Sequence, residues 1–408
     1  MLTRRHILSS IGAAGLAAAM PRLALAAAPG DRRFVLVILR GALDGLAAVP
    51  AYGDGDYKSL RGALAIAEPG QKGADGSDGA LDLGGRFGLH PALAPLHDFY
   101  KRGEMLVVHA TAGHYRGRSH FDAQDMLESG VAVPHGSQDG WLNRALAAMP
   151  GAASAARNGL ALGQTVPLAL RGKVPVASWA PSDLPEVEPG LMQTVAALYR
   201  NDRLLGPALA EGLKGQSFAD QVMNDGQRMN QPPGPGRQQF LQTAAAGGKL
   251  MAPDNGARVA VLDVGGWDTH ANQGAARGRL ALVLQILAEG MVALRDGLGP
   301  AWDKTVVLVA TEFGRTVQVN GTGGTDHGTG GVAFLLGGAV AGGRVVADWP
   351  GLSPAKLFEG RDLMPTTDLR AVAKAVLIDH LRLPAASVDA QVFPSSAAVK
   401  PMAKLVRV

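Results

Sequence analysis

Two short runs constrain this chain more than anything else in it: FVLVIL at residues 34–39, closed on either side by Arg33 and Arg40, and TVVLVA at 305–310, opened by Lys304. Each is continuously apolar and rich in β-branched residues, with no alternation of polar positions, which is the pattern of a strand buried on both faces of a parallel sheet. MLVVH at 105–109, RVAVLD at 258–263 and VAFLL at 332–336 read the same way, and stretches of helical spacing fall between and after them at 91–102, 274–298 and 367–383. Ser119 stands as an N-cap before HFDAQDMLES, with Asp122 at the third helical position. Strands alternating with helices of this length predict an α/β chain, a parallel or mostly parallel sheet sandwiched by helices. Residues 185–256 break the pattern. They are helical, rich in Ala, Leu and Gln, interrupted by NQPPGPG at 230–236, and read as a helical insertion into a single domain spanning 27–408. The Gly/Asp stretch at 69–85 lacks the spacing of an EF-hand and reads as a solvated loop.

The first 26 residues belong to a different class. Arg4 and Arg5 precede an Ala/Gly-rich apolar run, and Ala24-Leu25-Ala26 supplies a small-residue cleavage pattern. This resembles a twin-arginine export signal, so the expected mature protein starts near Ala27 and works in the periplasm or outside the cell, with the twin-arginine translocase as its partner during export. The run is too short to span a bilayer, and no stable membrane anchor is expected. Most of the formal charge of +4 also comes from here. Of 39 Lys and Arg, Arg4, Arg5 and Arg22 lie in this segment, where no acid offsets them, and without them 36 basic residues face 35 acidic ones. No basic field is left to suggest nucleic acid. The chain has no cysteine. Disulfides, thiolate catalysis, thiolate zinc sites and a lipoprotein anchor are therefore excluded, and any metal must be held by Asp, Glu, His and hydroxyl or backbone oxygen.

In parallel α/β sheets, ligands bind outside the carboxyl ends of the strands. The polar residues of this chain gather after its strands: Arg40 to Asp44 after the first, His109 and then His114 to Asp122 after the second, Asp263 and Trp267 to His270 after the third, Glu312 to Arg315 after the fourth. GGTDHGTGG at 323–331 then places Asp326 and His327 side by side in a glycine-rich loop. Asp44 reads equally as a helix cap or a ligand. His109, ending an apolar run, reads as a satisfied core histidine. Ser119 serves as an N-cap and also stands where a helix N-terminus stabilises an oxyanion. Asp268 and His270 can offer carboxylate and imidazole to one ion. Glu312, near the sheet edge where an unpaired carboxylate is costly, pairs with Arg315 or ligates a metal.

The order of Arg-Gly-x-x-Asp-Gly at 40–45, Arg-Ser-His-Phe-Asp-x-Gln at 118–124, Gly-Gly-Trp-Asp-Thr-His at 265–270, Glu-Phe-Gly-Arg-Thr at 312–316 and Thr-Asp-His-Gly at 325–328, behind the export signal, resembles the exported domain-of-unknown-function family fifteen-oh-one. That family is placed in the alkaline phosphatase and sulfatase superfamily. The resemblance covers nearly the whole mature chain. It implies an alkaline-phosphatase-like fold and a metal-dependent hydrolase of phosphate or sulfate esters, with a small-molecule or polymer-linked anionic ester as substrate and a divalent cation as cofactor (zinc, manganese, magnesium or calcium). Carried over by position, Asp44 is the first carboxylate ligand, Ser119 the nucleophile, and Asp268 and His270 the middle pair, with Arg118, Arg315, Arg116 or Arg40 holding the anion. The chain departs from the superfamily in two places. Glu312-Phe313 stands where relatives carry an Asp-His pair, and Asp326-His327 arrives one loop late. The expected ligands are thus Asp44, Asp268, His270, Glu312, Asp326 and His327, an oxygen-rich set suited to one metal rather than two or to a metal other than zinc. His380, inside a helical stretch, is a poor candidate.

No Ser or Cys is followed by x-Pro-x-Arg, which argues against a formylglycine sulfatase, and no Gly-x-Ser-x-Gly elbow supports a metal-free serine hydrolase. The alternative from another class is an exported binding or assembly protein that retains the fold without catalysis.

Overall fold

The structure, a computed structural model, describes residues 31–149, 158–181, 189–203, 205–223 and 236–407. The segment at 1–26, expected to direct export, lies outside the described residues, as do parts of the 185–256 stretch. One nine-stranded sheet organises the rest. Its strands are β1 (Arg33–Leu39), β2 (Met105–Ala112), β3 (Gly159–Leu162), β4 (Ala177–Trp179), β5 (Val259–Val264), β6 (Thr305–Thr311), β7 (Gly331–Leu336), β8 (Arg344–Val346) and β9 (Thr367–Asp368). They lie in the order β8-β2-β7-β6-β1-β5-β3-β4, with β9 beside β2. Every pairing is parallel except those of β7, which runs antiparallel to both β2 and β6. The mostly parallel α/β sheet predicted from the buried runs is therefore what the chain forms.

The helices are α1 (Gly45–Ala48), α2 (Tyr57–Arg61), α3 (Ala94–Lys101), α4 (His120–Ser129), α5 (Trp141–Ala148), α6 (Pro189–Tyr199), α7 (Leu205–Met223), α8 (Gly236–Met251), α9 (Arg279–Leu298) and α10 (Leu369–Ala375). The period-2 geometry of β1 sends its side chains into two cores. Val35, Val37 and Leu39 join Leu96 of α3, Phe240 of α8 and Leu287 of α9 on one face. Phe34, Leu36 and Ile38 join Trp141 of α5 and Val372 of α10 on the other. All six are at most 1% exposed, which explains a run with no polar position; each such side chain contributes roughly 1.5–3 kcal/mol on burial. α6 and α7 pack on one another, while α8 packs along α9 in the helical layer that covers the sheet. No helix among the described residues is long and apolar enough to cross a membrane.

The register fixes one polar edge. Leu39 of β1 lies level with Val264 of β5 and Thr311 of β6. Thr111, near the end of β2, lies level with Gly331 at the start of β7. The carboxyl ends of β1, β2, β5 and β6 therefore share an edge with the amino end of β7. The segments that follow or precede those ends must meet there, although hundreds of residues separate them in the chain.

Candidate metal centre

Four loops cross this edge. After β1 comes Gly41 at φ 118, and a Cβ there would stand 2.7 Å from the Asp268 backbone nitrogen, so the first loop can pass this close to the third only without a side chain. After β2, Arg118 takes a left-handed φ of 58 and turns the chain into α4. Ser119 caps that helix, its Oγ facing the Asp122 N–H at 3.5 Å. After β6, residues 312–317 double back against 325–331: Gly314 N–H donates to the Thr329 carbonyl, Gly328 N–H to the Gly314 carbonyl, and Thr316 N–H to the Asp326 carbonyl. His327 is carried on this ribbon.

Three imidazoles and a carboxylate meet where the loops cross. His327 Nε2 lies 2.9 Å from both His120 Nε2 and His270 Nε2. Asp268 Oδ1 lies 3.0 Å from His270 Nε2 and 3.3 Å from His327 Nε2, and its Oδ2 lies 3.6 Å from His120 Nε2. The other nitrogen of each ring faces an acceptor: His120 Nδ1 meets Glu312 Oε1 at 2.7 Å, His270 Nδ1 meets Asp326 Oδ1 at 3.1 Å, and His327 Nδ1 meets the Arg118 carbonyl at 3.0 Å. Ionised carboxylates and carbonyls have no proton to give, so each neutral ring carries its proton on Nδ1 and its lone pair on Nε2. The His120 and His327 lone pairs and the ionised Asp268 carboxylate repel unless a cation lies among them, and the His270 lone pair stands beside His327 and Asp268. Tetrahedral zinc with bonds of about 2.0–2.1 Å requires ligand atoms roughly 3.3 Å apart, close to the separations among His120, Asp268 and His327 and to those of His270 from Asp268 and His327. His120, Asp268 and His327 alone place three ligand atoms within 4.8 Å of one another. The residues fit a single divalent cation, and the pattern of ring Nδ1–H donated to carboxylate or carbonyl is the usual support of a histidine ligand.

Local electrostatics are consistent with this arrangement. The Glu312 carboxylate raises the His120 pKa against the opposing effect of burial. Burial lowers that of His327, and the nearby His120 lowers it further. Burial works to raise Asp268, but the Arg315 guanidinium, 2.6 Å away, holds it below the usual carboxylate range. Glu312 is likewise pushed up by burial, yet hydrogen bonds from His120, Gln124 and the Gly41 N–H keep it low. The Asn320 amide and His270 lower Asp326. Asp268 and His270 keep 44% of their side-chain surface, so the centre is open to solvent on one side.

The residues singled out in the sequence divide into two ranks. Asp268, His270 and His327 offer ligand atoms to the common point. Glu312 does not: its Oε1 accepts from His120, Gln124 and Gly41, its Oε2 accepts from Thr311, and it makes no pair with Arg315. Asp326 supports His270 from behind. Asp44 is held elsewhere, its Oδ2 accepting from Arg61 at 2.5 Å and Gln273 at 2.7 Å while Oδ1 caps α1 at Ala47. Of the expected set, Asp44 and Glu312 have their oxygens occupied by arginine, amide, imidazole, hydroxyl and backbone donors, while Asp268, His270 and His327 lie together with His120. Arg315 is fully buried and grips Asp268 and Thr325. Arg118 is held by Asp362 and Glu359, and Arg40 by Asp263 and Glu128. His109 and His380 are core histidines, donating to the Val49 and Arg33 carbonyls.

His120 was not among the expected ligands. Its signal is its place at the first position of a helix that Ser119 caps, on the polar edge of the sheet; the capping role of its neighbour draws attention away from it.

Three solved structures are similar to this chain at low sequence identity. A candidate sulfatase from Bacteroides thetaiotaomicron VPI-5482 superposes with a TM-score of 0.40 at 10% identity, over 92% of this chain and 76% of that one. The phosphonate monoester hydrolase of Agrobacterium radiobacter gives 0.34 at 12% identity, over 86% and 74%, and a 2-O GAG sulfatase gives 0.33 at 12% identity, over 92% and 76%. No curated protein matches the sequence. The family model described as "Protein of unknown function (DUF1501)" matches residues 31–392, and the chain belongs to that family.

Proposed function

We propose that this protein is an exported, metal-dependent hydrolase of a phosphate or sulfate ester. The observation that carries the reading is the convergence of His120, His270 and His327 Nε2 with the Asp268 carboxylate, each ring fixed through its Nδ1. Three imidazole nitrogens and one oxygen suit zinc best among divalent ions. A divalent cation bound there supplies positive charge that lowers the pKa of a neighbouring hydroxyl and neutralises charge developing on the ester oxygens. Ser119, flanked by the Arg118 carbonyl that holds His327 and by His120 itself, is the proposed nucleophile. Its oxygen would form the new bond to phosphorus or sulfur as the bond to the leaving oxygen breaks, the serine proton passing to the departing alkoxide; attack by water would then break the serine ester, return one proton to Ser119 and release phosphate or sulfate. Arg116 is exposed and, among the described residues, donates to the Gly113 and Tyr115 carbonyls, with Asp368 acting on it from a distance rather than through a hydrogen bond, which leaves its donors available to a substrate anion. Arg40, Arg118 and Arg315 are engaged by carboxylates. The substrate is a small-molecule or polymer-linked anionic ester. Export by the twin-arginine translocase and a periplasmic or secreted location rest on the N-terminal sequence.

Metal analysis of protein isolated from its native compartment tests this, followed by a screen of phosphate monoesters, phosphate diesters and sulfate esters with Ser119→Ala as control. About one equivalent of divalent metal per chain is expected, with turnover lost in Ser119→Ala and Asp268→Ala. Metal-free protein whose Asp268→Ala and His327→Ala variants melt like the parent would overturn the reading and favour a binding or assembly role. Full turnover in Ser119→Ala would remove only the serine, leaving water as the attacking group.

A further inference from the structure

We infer that Asp362 is a positioning residue for the metal centre: through Arg118, Thr329 and Arg361 it sets the separation of His120 and His327. This rests on the metal reading above. His327 is gripped at two points, its ring Nδ1 by the Arg118 carbonyl at 3.0 Å and its own carbonyl by the Arg361 guanidinium. Both arginines are in turn held by Asp362. Asp362 Oδ2 accepts from Arg118 Nε at 2.9 Å and Nη2 at 2.8 Å, and from Thr329 Oγ1 at 2.7 Å, while Oδ1 accepts from Arg361 Nε at 2.9 Å. One fully buried carboxylate thus ties the residue two before His120 to the residue two after His327.

The backbone points the same way. Arg118 at φ 58 and Glu359 at φ 54 both occupy the left-handed region, which non-glycine residues seldom hold unless their surroundings over-determine them. The two are ion-paired to one another at 2.6 Å. The left-handed backbone of Arg118 lies directly before the peptide whose oxygen meets His327, and the Asp362 and Glu359 carboxylates hold the side chain that keeps it so. The loop at 358–362 closes on itself through reciprocal Phe358 and Asp362 backbone hydrogen bonds and joins the His327 ribbon where Val317 N–H donates to the Arg361 carbonyl. It offers no ligand atom of its own, so it acts on the centre only by placing groups that do.

The test uses the full chain stripped with chelator, titrated with Zn2+ by calorimetry and with Co2+ by absorption, which is intense for four-coordinate and weak for six-coordinate ions. Asp362→Asn and Arg361→Ala are expected to bind Zn2+ roughly 10–100-fold more weakly than the parent and to lose four-coordinate Co2+ intensity, while the metal-free proteins melt within a few degrees of it. If Asp362→Asn does not fold, Arg361→Ala decides, since the Arg361 side chain is 45% exposed and its loss leaves no cavity. Parent-like affinity and spectra in the folded variants would overturn the positioning role and leave the metal centre standing. A parent chain that binds neither ion would overturn the metal centre and this inference together.

Discussion

A histidine in this protein is defined by where its two nitrogens find partners. His109 donates from Nε2 to the Val49 carbonyl and accepts the Ala110 N–H at Nδ1, so both nitrogens are satisfied inside the core and none is left for a ligand. His120, His270 and His327 have one nitrogen satisfied and the other aimed at a shared point. Glu312 then acts through His120, and Glu312→Gln, which keeps the shape but weakens the acceptor, is expected to lower metal affinity roughly 10–100-fold; His120→Ala should lose more, as calorimetric Zn2+ titration of the two variants will show. Asp44 gives the opposite outcome. Its carboxylate neutralises Arg61, which is 0% exposed, so Asp44→Ala leaves a buried charge unpaired and should cost about 3–5 kcal/mol of stability. Its metal content, assayed on the fraction that remains folded, should match the parent. A metal-free but fully stable Asp44→Ala protein would instead make Asp44 a ligand.

The ribbon at 312–317 and 325–331 explains Gly314 and, within GGTDHGTGG, Gly328 and Gly330. A Cβ on Gly314 would lie 1.9 Å from the Gly330 carbonyl oxygen, and one on Gly328 would lie 2.4 Å from the Arg315 carbonyl carbon. The glycines are thus not slack. They let two backbones close tightly enough for His327 to reach His120 and His270. Gly314→Ala must push these backbones apart, and it is expected to lower the melting temperature and weaken Zn2+ binding together, checked by melting with and without metal. Other elements were legible to different degrees. Ser119 and the helix after it agree with their sequence signals because capping is local. The long helix expected from residue 274 begins instead at Arg279, since Gly274 and Gly278 adopt φ 78 and 119 and form a turn. The short strands β3, β4, β8 and β9 escaped notice because two to four residues are too few to show a period, and they exist as strands only through pairing with β5, β3 and β2.

Across the molecule, three neutral histidines join distant parts of the fold. His90, His109 and His380 each have their pKa lowered by burial from 6.5 to about 4, partly offset by hydrogen bonds to the Ala275, Val49 and Arg33 carbonyls. A folded-state pKa below the unfolded value means that the unfolded chain binds more protons between pH 4 and 6.5, so stability falls as pH drops through that window and levels off below it. Three such groups give a slope of up to about 4 kcal/mol per pH unit. Denaturant melts of metal-stripped protein from pH 4 to 8 should show it. His380→Gln, which can still donate to the Arg33 carbonyl, should flatten the profile by about one proton, and an unchanged slope would exclude His380 as a contributor.

The sequence by itself determined the sheet, its burial on both faces and the edge where chemistry gathers, because strand patterning and the excess of polar residues after strand ends are properties of neighbours in the chain. It also carried Asp268, His270 and His327 to that edge. Only the tertiary structure decided which acids join the histidine cluster and which are held by other donors. His120 meets Glu312 and His327 across separations of 192 and 207 residues, and Asp44 is drawn away by Arg61 and Gln273. Whether a carboxylate faces an imidazole cluster or an arginine depends on contacts between loops that no local spacing encodes, and here those contacts bring His120 beside His327 and Asp268 while Asp44 is held by Arg61.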